Sequence, residues 1–328
     1  MLSAAAVLPP SRVSLSAVID AESDRYRAQL DALSPHFRER IVEGLGIESV
    51  GVHGEAASTL AAAAAQRALE RASLPADEVR LIVDYSTLSG DYPGLWSLAN
   101  KVQADLGCAN AATLTTSGSG CAGLHLGLRV ALAMMQTDPS LGVALLVASD
   151  CVGSQGRSCL PISVLGDGAS AVVLARGDQA PENAPRISGL ACSTLGTYQE
   201  VIRLDGHPPQ LQIDGHRFES KVLPLHFVMS QRVLSRALAR AHQRIEDIDA
   251  LVYPNTTALD RESVIRALGI RPERLSGPGP AELGHVFASD MVINLPSSSP
   301  TGAPDPARCT ALLAVGSGFT WGACIVGS

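Results

Sequence analysis

The sequence predicts an α/β protein whose sheets are covered on both faces. Short, wholly apolar runs bounded by turn residues, such as LGVALLVASD (141–150) and SAVVLARG (170–177), read as strands of that kind. Helix-like stretches alternate with them along the chain. The order of elements in the first half also recurs, weakly, in the second.

The first half opens its regular part with EAASTLAAAAAQRALERAS (55–73), Ala-rich and helical, followed by a buried strand in VRLIVDYST (79–87). Residues 94–106 read as a helix. TLTTSGSG (113–120) leads into CAGLHLGLRVALAMMQ (121–136), a helix apolar on nearly every face and therefore buried. The strands at 141–150 and 170–177 follow, and DQAPENAPR (178–186), polar and Pro-containing, reads as a linker. The second half has an amphipathic helix at 228–243, a strand DALVYPN (249–255) and a short helix RESVIRAL (261–268). A Gly/Pro-rich turn (276–284) then enters HVFASDMVINL (285–295), and the apolar strands 309–318 and 319–327 finish the chain. The expected division is 1–180 and 181–328.

The halves align as LIVDYST (81–87) on LVYPNTT (251–257), DLG (105–107) on ALG (267–269), and the segment entering Cys121 on that entering His285. The offsets of 170, 162 and 164 require gaps. If the repeat is a true duplication, Cys121 and His285 occupy equivalent places, each at the mouth of a buried helix. Two generic α/β halves with chance similarity are the alternative.

Composition narrows the function classes. The 328 residues are 46% hydrophobic and 17% charged, enough apolar material for a sizeable core and against disorder. The net charge is −7 and no Lys/Arg run occurs, so no nucleic-acid partner is expected. No apolar run approaches the roughly 18 residues of a membrane span, and the N-terminus lacks a signal peptide's basic start; no membrane partner and a cytoplasmic location are expected. The seven cysteines, 108, 121, 151, 159, 192, 309 and 324, include no Cys-x-x-Cys pair. No metal is expected, and the thiols read as reduced.

SGSGCAG (117–123) sets Cys121 after a Gly/Ser turn at a helix mouth, where unpaired N–H groups and the helix dipole stabilise a thiolate and can hold a thioester oxyanion. A small buried thiol is the plainer reading. GHVFASD (284–290) offers His285 to take the thiol's proton and Asp290 to fix the imidazole tautomer. Along a regular helix, five residues turn the two side chains about 140° apart, so contact requires an irregular first turn. The alternative is a satisfied buried His and an unrelated Asp. Asn255, in YPNTT (253–257), ends a buried strand at its carboxyl end, where ligands sit in open α/β sheets; it can donate to a carbonyl or simply make a turn. VLGDGAS (164–170) is Gly-rich without being a phosphate loop, and Asp167 reads as a turn or buried hydrogen-bonding residue. AVGSGFTWGA (314–323) is a further Gly-rich turn. His125, one helical turn after Cys121, reads as packing.

In this order SGSGCAG, VLGDGASAVVLA, GHVFASD and VGSGFTWGACIV resemble the β-ketoacyl-acyl-carrier-protein synthase III branch of the thiolase superfamily, from residue 44 to the C-terminus. The resemblance implies a five-layer αβαβα thiolase fold with internal duplication, a homodimer, and acyl-Cys chemistry on coenzyme A or acyl-carrier-protein thioesters with no bound cofactor. By its motif Cys121 is the nucleophile, and the amides of Cys121 and Ser317 form the oxyanion hole. The pattern departs from the family's condensing enzymes. Their Pro-His-Gln-Ala-Asn motif reads Pro254-Asn255-Thr256-Thr257-Ala258 here, their Gly-Asn motif reads Gly284-His285, and Val315 replaces a Phe. Cys with Gly-His-x4-Asp is similar to the branch's acyltransferase and starter-unit subset of natural-product pathways, implying His285 as general base and Asp290 as its orienter. The expected function is acyl transfer from a thioester through acyl-Cys121 to an oxygen, nitrogen or carbon acceptor, small or carrier-bound. Decarboxylative condensation using Asn255 and His285 is the first alternative and a non-catalytic partner subunit the second. Tyr92, Trp96, Val315 and Thr256 are the candidate pocket residues, with loop packing the equal alternative for the first two.

Overall fold

The computed structural model describes residues 1–88, 91, 96–205, 210–296 and 299–327. Two sheets organise the chain. The first holds β1 (Ser3–Val7), β2 (Leu81–Asp84), β3 (Ala112–Thr115), β4 (Val143–Asp150) and β5 (Gly168–Ala175), in the order β1-β5-β4-β2-β3. The second holds β6 (Arg186–Thr194), β7 (Ala250–Val252), β8 (Thr310–Gly316) and β9 (Thr320–Gly327), in the order β6-β9-β8-β7. Along either sheet the first two pairings are antiparallel and the next is parallel. Four strands of one sheet therefore have counterparts of the same order and sense in the other, and β3 alone extends the first.

Three helical layers complete the stack. The Ala-rich α1 (Ala57–Ala72) presses Ala61, Ala64, Ala65 and Ala68 onto the outer face of the first sheet, together with α2 (Leu98–Leu106). Side chains this small let helix and sheet approach closely. α3 (Gly123–Thr137) runs between the sheets. Its Leu124 and Leu128 share one core with Leu146 and Val172 of the first sheet and Leu312 and Val326 of the second. Full burial contributes about 1.5–3 kcal/mol per leucine as an upper estimate. α4 (Leu223–Arg240) and α5 (Ala258–Leu268) cover the outer face of the second sheet. The result is the expected αβαβα order. Every residue of β4 is buried, as its unbroken apolar run required.

Several elements differ from the sequence reading. The 121–136 helix begins as a 3-10 turn at Gly120–Ala122. The 285–295 stretch is not a continuous helix: a 3-10 turn (Phe287–Ser289) precedes the short α6 (Asp290–Ile293). The 178–186 linker is the connection from β5 to β6. β1, whose sequence SAAAV lacks the β-branched run of a typical strand, pairs with β5 along its whole length. Among the described residues no helix is long and apolar enough to cross a membrane.

Candidate active site

The two Gly-rich turns of the halves meet at Cys121. Gly316 closes β8 directly against the Cys121 turn: a Cβ there would lie 1.9 Å from the Ser119 carbonyl oxygen and 2.7 Å from the Cys121 nitrogen. Only glycine allows the approach. Ser317 follows it, so Cys121 and Ser317 line one cavity. Cys121 is partly exposed there, at the amino-terminal approach to α3.

His285 is delivered by the other half. The VLGDGAS segment supplies a backbone dock: His285 N–H donates to the Val164 carbonyl at 2.9 Å and Gly166 N–H to the His285 carbonyl at 3.0 Å. Gly284, at φ +65°, fits where a Cβ would sit 2.5 Å from the Val164 oxygen. After His285 the chain turns irregularly, with Phe287, the first residue of the 3-10 turn, at φ +50°. That turn removes the offset a regular helix would impose and brings Asp290 back onto the imidazole.

The three side chains form a line. Cys121 Sγ lies 3.0 Å from His285 Nε2, and His285 Nδ1 lies 2.5 Å from Asp290 Oδ2. Asp290 is fully buried and accepts two backbone donors besides, Asn255 N–H at 2.7 Å and Val286 N–H at 2.9 Å. Burial alone would lower the His285 pKa. The electrostatic influence of the neighbouring Cys121 sulfur and the Asp290 carboxylate outweighs it and holds the pKa well above the ordinary histidine range. The imidazole is thus built to carry a proton beside sulfur and to pass it on.

Asn255 contributes differently from the expectation that its amide faces a substrate carbonyl. Its side chain is fully buried, and the residue is not among the described residues lining the cavity. Its carboxamide oxygen accepts from Asn294 Nδ2 at 2.8 Å and Arg261 Nη1 at 3.4 Å. Those two side chains hold the oxygen, the buried Nδ2 has no hydrogen-bond partner among the described residues, and the backbone N–H of Asn255 supports Asp290. Arg261 also binds the carbonyls of Tyr253 and Pro254. Sequence reasoning missed Arg261 and Asn294; the one available signal was a cation six residues after Asn255.

The cavity has a volume of about 210 Å³. Thr256 and Val315 line it. Trp96, partly exposed, is not among its described lining residues. Tyr92 lies outside the described residues. Most of the wall is apolar, built by residues such as Ile162, Leu211, Phe218, Leu223 and Phe319. His125 is a packing residue: fully buried, 3.1 Å from the Leu312 carbonyl, with burial lowering its pKa to about 4. Asp167 is buried, paired with Arg157 at 2.9 Å and accepting the His53 and Val152 N–H groups. Among the described residues no group of three or more His, Cys, Asp or Glu is arranged to hold a metal ion.

Known proteins of similar sequence and structure agree with this architecture. The 3-oxoacyl-[acyl-carrier-protein (ACP)] synthase III C-terminal family matches residues 238–328. The β-ketoacyl-[acyl-carrier-protein] synthase III of Rhodospirillum centenum is 30% identical over 302 residues, covering 88% of this chain and 90% of that one. The solved 3-oxoacyl-[acyl-carrier-protein] synthase III of Aquifex aeolicus superposes with a TM-score of 0.81 at 20% identity, covering 100% and 99% of the two chains. The solved acyltransferase ChlB3 superposes at 0.80 with 21% identity, covering 99% and 96%. At these identities the structural likenesses speak for the thiolase fold alone. With the sequence relative, they establish that the chain belongs to the β-ketoacyl-acyl-carrier-protein synthase III family of thiolase-fold enzymes.

Proposed function

We propose that the protein is an acyltransferase that carries an acyl group on Cys121 and hands it to a protic acceptor. The observation that carries this reading is the line of Cys121 Sγ, His285 and Asp290, at 3.0 and 2.5 Å. In the first half-reaction the Cys121 sulfur attacks the thioester carbonyl. The backbone amides of Cys121 and Ser317 receive the oxyanion, the donor's carbon–sulfur bond breaks, and the departing thiolate takes the proton held by His285. In the second, His285 Nε2 removes the acceptor's O–H or N–H proton as the acceptor attacks the acyl-Cys121 carbonyl. The Cys121 sulfur leaves, and the imidazolium formed is stabilised by Asp290.

The donor is a coenzyme A or acyl-carrier-protein thioester; the carrier protein figures in the name of the sequence relative. A homodimer, a cytoplasmic location, a place in natural-product metabolism and the division into halves 1–180 and 181–328 belong to the same reading. Decarboxylative condensation is the second reading, favoured by the synthase name of that relative. It calls for two donors on a malonyl carbonyl; the oxygen of the Asn255 carboxamide is held by Asn294 and Arg261, and its Nδ2, which would have to donate, is buried without a partner among the described residues, in a residue that does not line the cavity.

Intact mass of the wild type and Cys121→Ala, after incubation with a panel of acyl and malonyl thioesters, tests the proposal. It predicts an adduct on the wild type alone, with any malonyl adduct keeping its carboxylate. Loss of carbon dioxide from malonyl thioester would favour condensation. No adduct from any donor, carrier-bound donors included, would overturn both readings.

A further inference from the structure

Part of the cavity wall is held by a helix that the chemistry above does not use. The helix Ser23–Asp31 belongs to neither sheet's cover described above, and its polar side chains grip the short segment 155–160. Glu22, at its N-cap, accepts the N–H groups of Arg157 at 2.7 Å and Ser158 at 2.9 Å. Gln29 accepts from Leu160 N–H at 3.0 Å and donates to the Ser158 carbonyl at 3.0 Å. Between them, Arg25 spreads its guanidinium over three carbonyls. Nη1 donates to Gln155 at 2.9 Å, Nε to Ser158 at 3.1 Å and Nη2 to Leu211 at 2.5 Å. Spacings of three and four residues set Glu22, Arg25 and Gln29 on one side of the helix.

The third bond reaches a different part of the wall. Leu211 lies in a separate hairpin, Ile202–Asp205 with Gln210–Ile213. Cys159 and Leu211 both line the Cys121 cavity, and they pack into one cluster with Cys121 and Phe287. The guanidinium therefore bridges a seam between two pieces of the wall. A two-stranded hairpin has little stability of its own, and Leu204 of this one is 46% exposed. Its place depends on ties to its neighbours. The Arg25 side chain is 15% exposed, so the bridge is largely shielded from water. Without the guanidinium, the carbonyls at the seam would turn to water, and water between the two pieces parts them. A planar fork spans three carbonyls at once, where an ammonium would serve them only as a point donor.

We infer that Arg25 is a positioning residue that sets the width of the Cys121 cavity, and with it the bulk of the acyl group that reaches the sulfur. The inference deepens the loading of Cys121 proposed above, whichever acceptor follows.

Alkylation of Cys121 tests it without acyl transfer. The rates with iodoacetamide and with the bulky N-(1-adamantyl)iodoacetamide are followed by peptide mass at Cys121 in the wild type, Arg25→Met and Arg25→Lys. Methionine keeps an apolar stem and removes every donor; lysine keeps the charge. The wild type should favour the small reagent at least tenfold. Arg25→Met should cut that preference at least fivefold by reacting faster with the bulky reagent, its iodoacetamide rate staying within threefold of the wild type. Arg25→Lys should cut the preference at least twofold and less than Arg25→Met. The iodoacetamide rate is the control for His285, because Ser158 pairs with Val164, whose carbonyl docks His285. A merely structural role would slow both reagents together, and that result would overturn the inference. So would a wild type that reacts with neither reagent or equally with both, or an unchanged preference in Arg25→Met. Should Arg25→Met fail to fold, a wild-type preference in Arg25→Lys would overturn it alone. Absence of an acyl-Cys121 adduct in the mass experiment bears only on the reaction, so the two failures are distinguishable.

Discussion

Asp290→Asn isolates the part of the site that the proposed mechanism leans on hardest. Asp290 accepts from three groups: His285 Nδ1, Asn255 N–H and Val286 N–H. An asparagine has one oxygen for these positions. With that oxygen toward Val286, its NH2 group meets two donors, and the imidazole must move its proton to Nε2 to offer Nδ1 as an acceptor. Nε2, 3.0 Å from the Cys121 sulfur, can then no longer take a proton. A wrong tautomer in a nucleophile–His–carboxylate line lowers kcat about 10³–10⁴-fold, roughly 4–5.5 kcal/mol of barrier. With the amide flipped, the Val286 N–H loses its acceptor; either way a buried donor is orphaned, at about 1–3 kcal/mol of stability. The sign with pH follows from His285, whose folded pKa is raised. Its stabilising contribution is complete below the unfolded value of about 6.5 and is lost as pH rises through the folded one. The stability gap between wild type and Asp290→Asn should therefore narrow toward alkaline pH. Single-turnover decay of the acyl adduct, followed by intact mass with acceptor present, reads the chemistry, and thermal melting across pH reads the linkage. An Asp290→Asn chain that transfers within threefold of the wild-type rate would refute the assignment of His285 as a base held by Asp290.

Two further predictions follow from the same geometry. Gly316→Ala forces a methyl to within 1.9 Å of the Ser119 oxygen, so the turns must part; acyl loading should fall at least tenfold together with the melting temperature, and an unchanged loading rate would contradict the shared oxyanion site. Asp150 is fully buried, and burial pushes its pKa up to about 7 against the hydrogen bonds from Leu88 and Thr87 N–H. Its folded pKa is raised, so the stability it contributes is present below about pH 4 and is lost as pH rises through about 7. Asp150→Asn, which keeps one oxygen for those donors, should gain stability on the wild type over that window in pH-dependent urea unfolding, by a few kcal/mol.

The meeting of Cys121 and His285 was legible because it is a consequence of duplication, and duplication leaves traces in spacing. The five-residue gap from His285 to Asp290 was legible as a demand, an irregular turn, without revealing that Phe287 at positive φ would meet it. What stayed hidden depends on contacts across long separations. The orientation of the buried Asn255 carboxamide is set by Asn294, 39 residues on, and Arg261, which bind its oxygen. The hydrogen-bond chain from Trp321 through His226 and Tyr253 to Asp260 joins β9, α4, the residue after β7 and α5, and in sequence Asp260 is indistinguishable from an ordinary acid in a helix's first turn. β1 is weak in β propensity and becomes a strand only by pairing with β5.

Position 255 also shows how the site accommodates an exchange of His and Asn relative to the condensing enzymes it resembles. What residue 255 gives the Cys121–His285–Asp290 line is a backbone N–H, 2.7 Å from Asp290 Oδ2, which any residue but proline supplies. The side chain at 285, by contrast, touches both Cys121 and Asp290. Asn255→Ala therefore removes an acceptor from Asn294 and Arg261 while leaving Asp290 its backbone donor. Asn294 keeps the Tyr253 carbonyl, and Arg261 keeps the Tyr253 and Pro254 carbonyls. The expected cost is about 1–2 kcal/mol of stability, with the acyl-transfer rate reduced less than tenfold. If Asn255 instead donated to a malonyl carbonyl, its loss would remove a transition-state hydrogen bond and lower kcat by about 10²–10³. Measuring melting temperature and acyl-Cys121 turnover on the same Asn255→Ala preparation separates the two roles, and a rate loss of the larger size in a chain of near wild-type stability would sink the account of residue 255 as a backbone support.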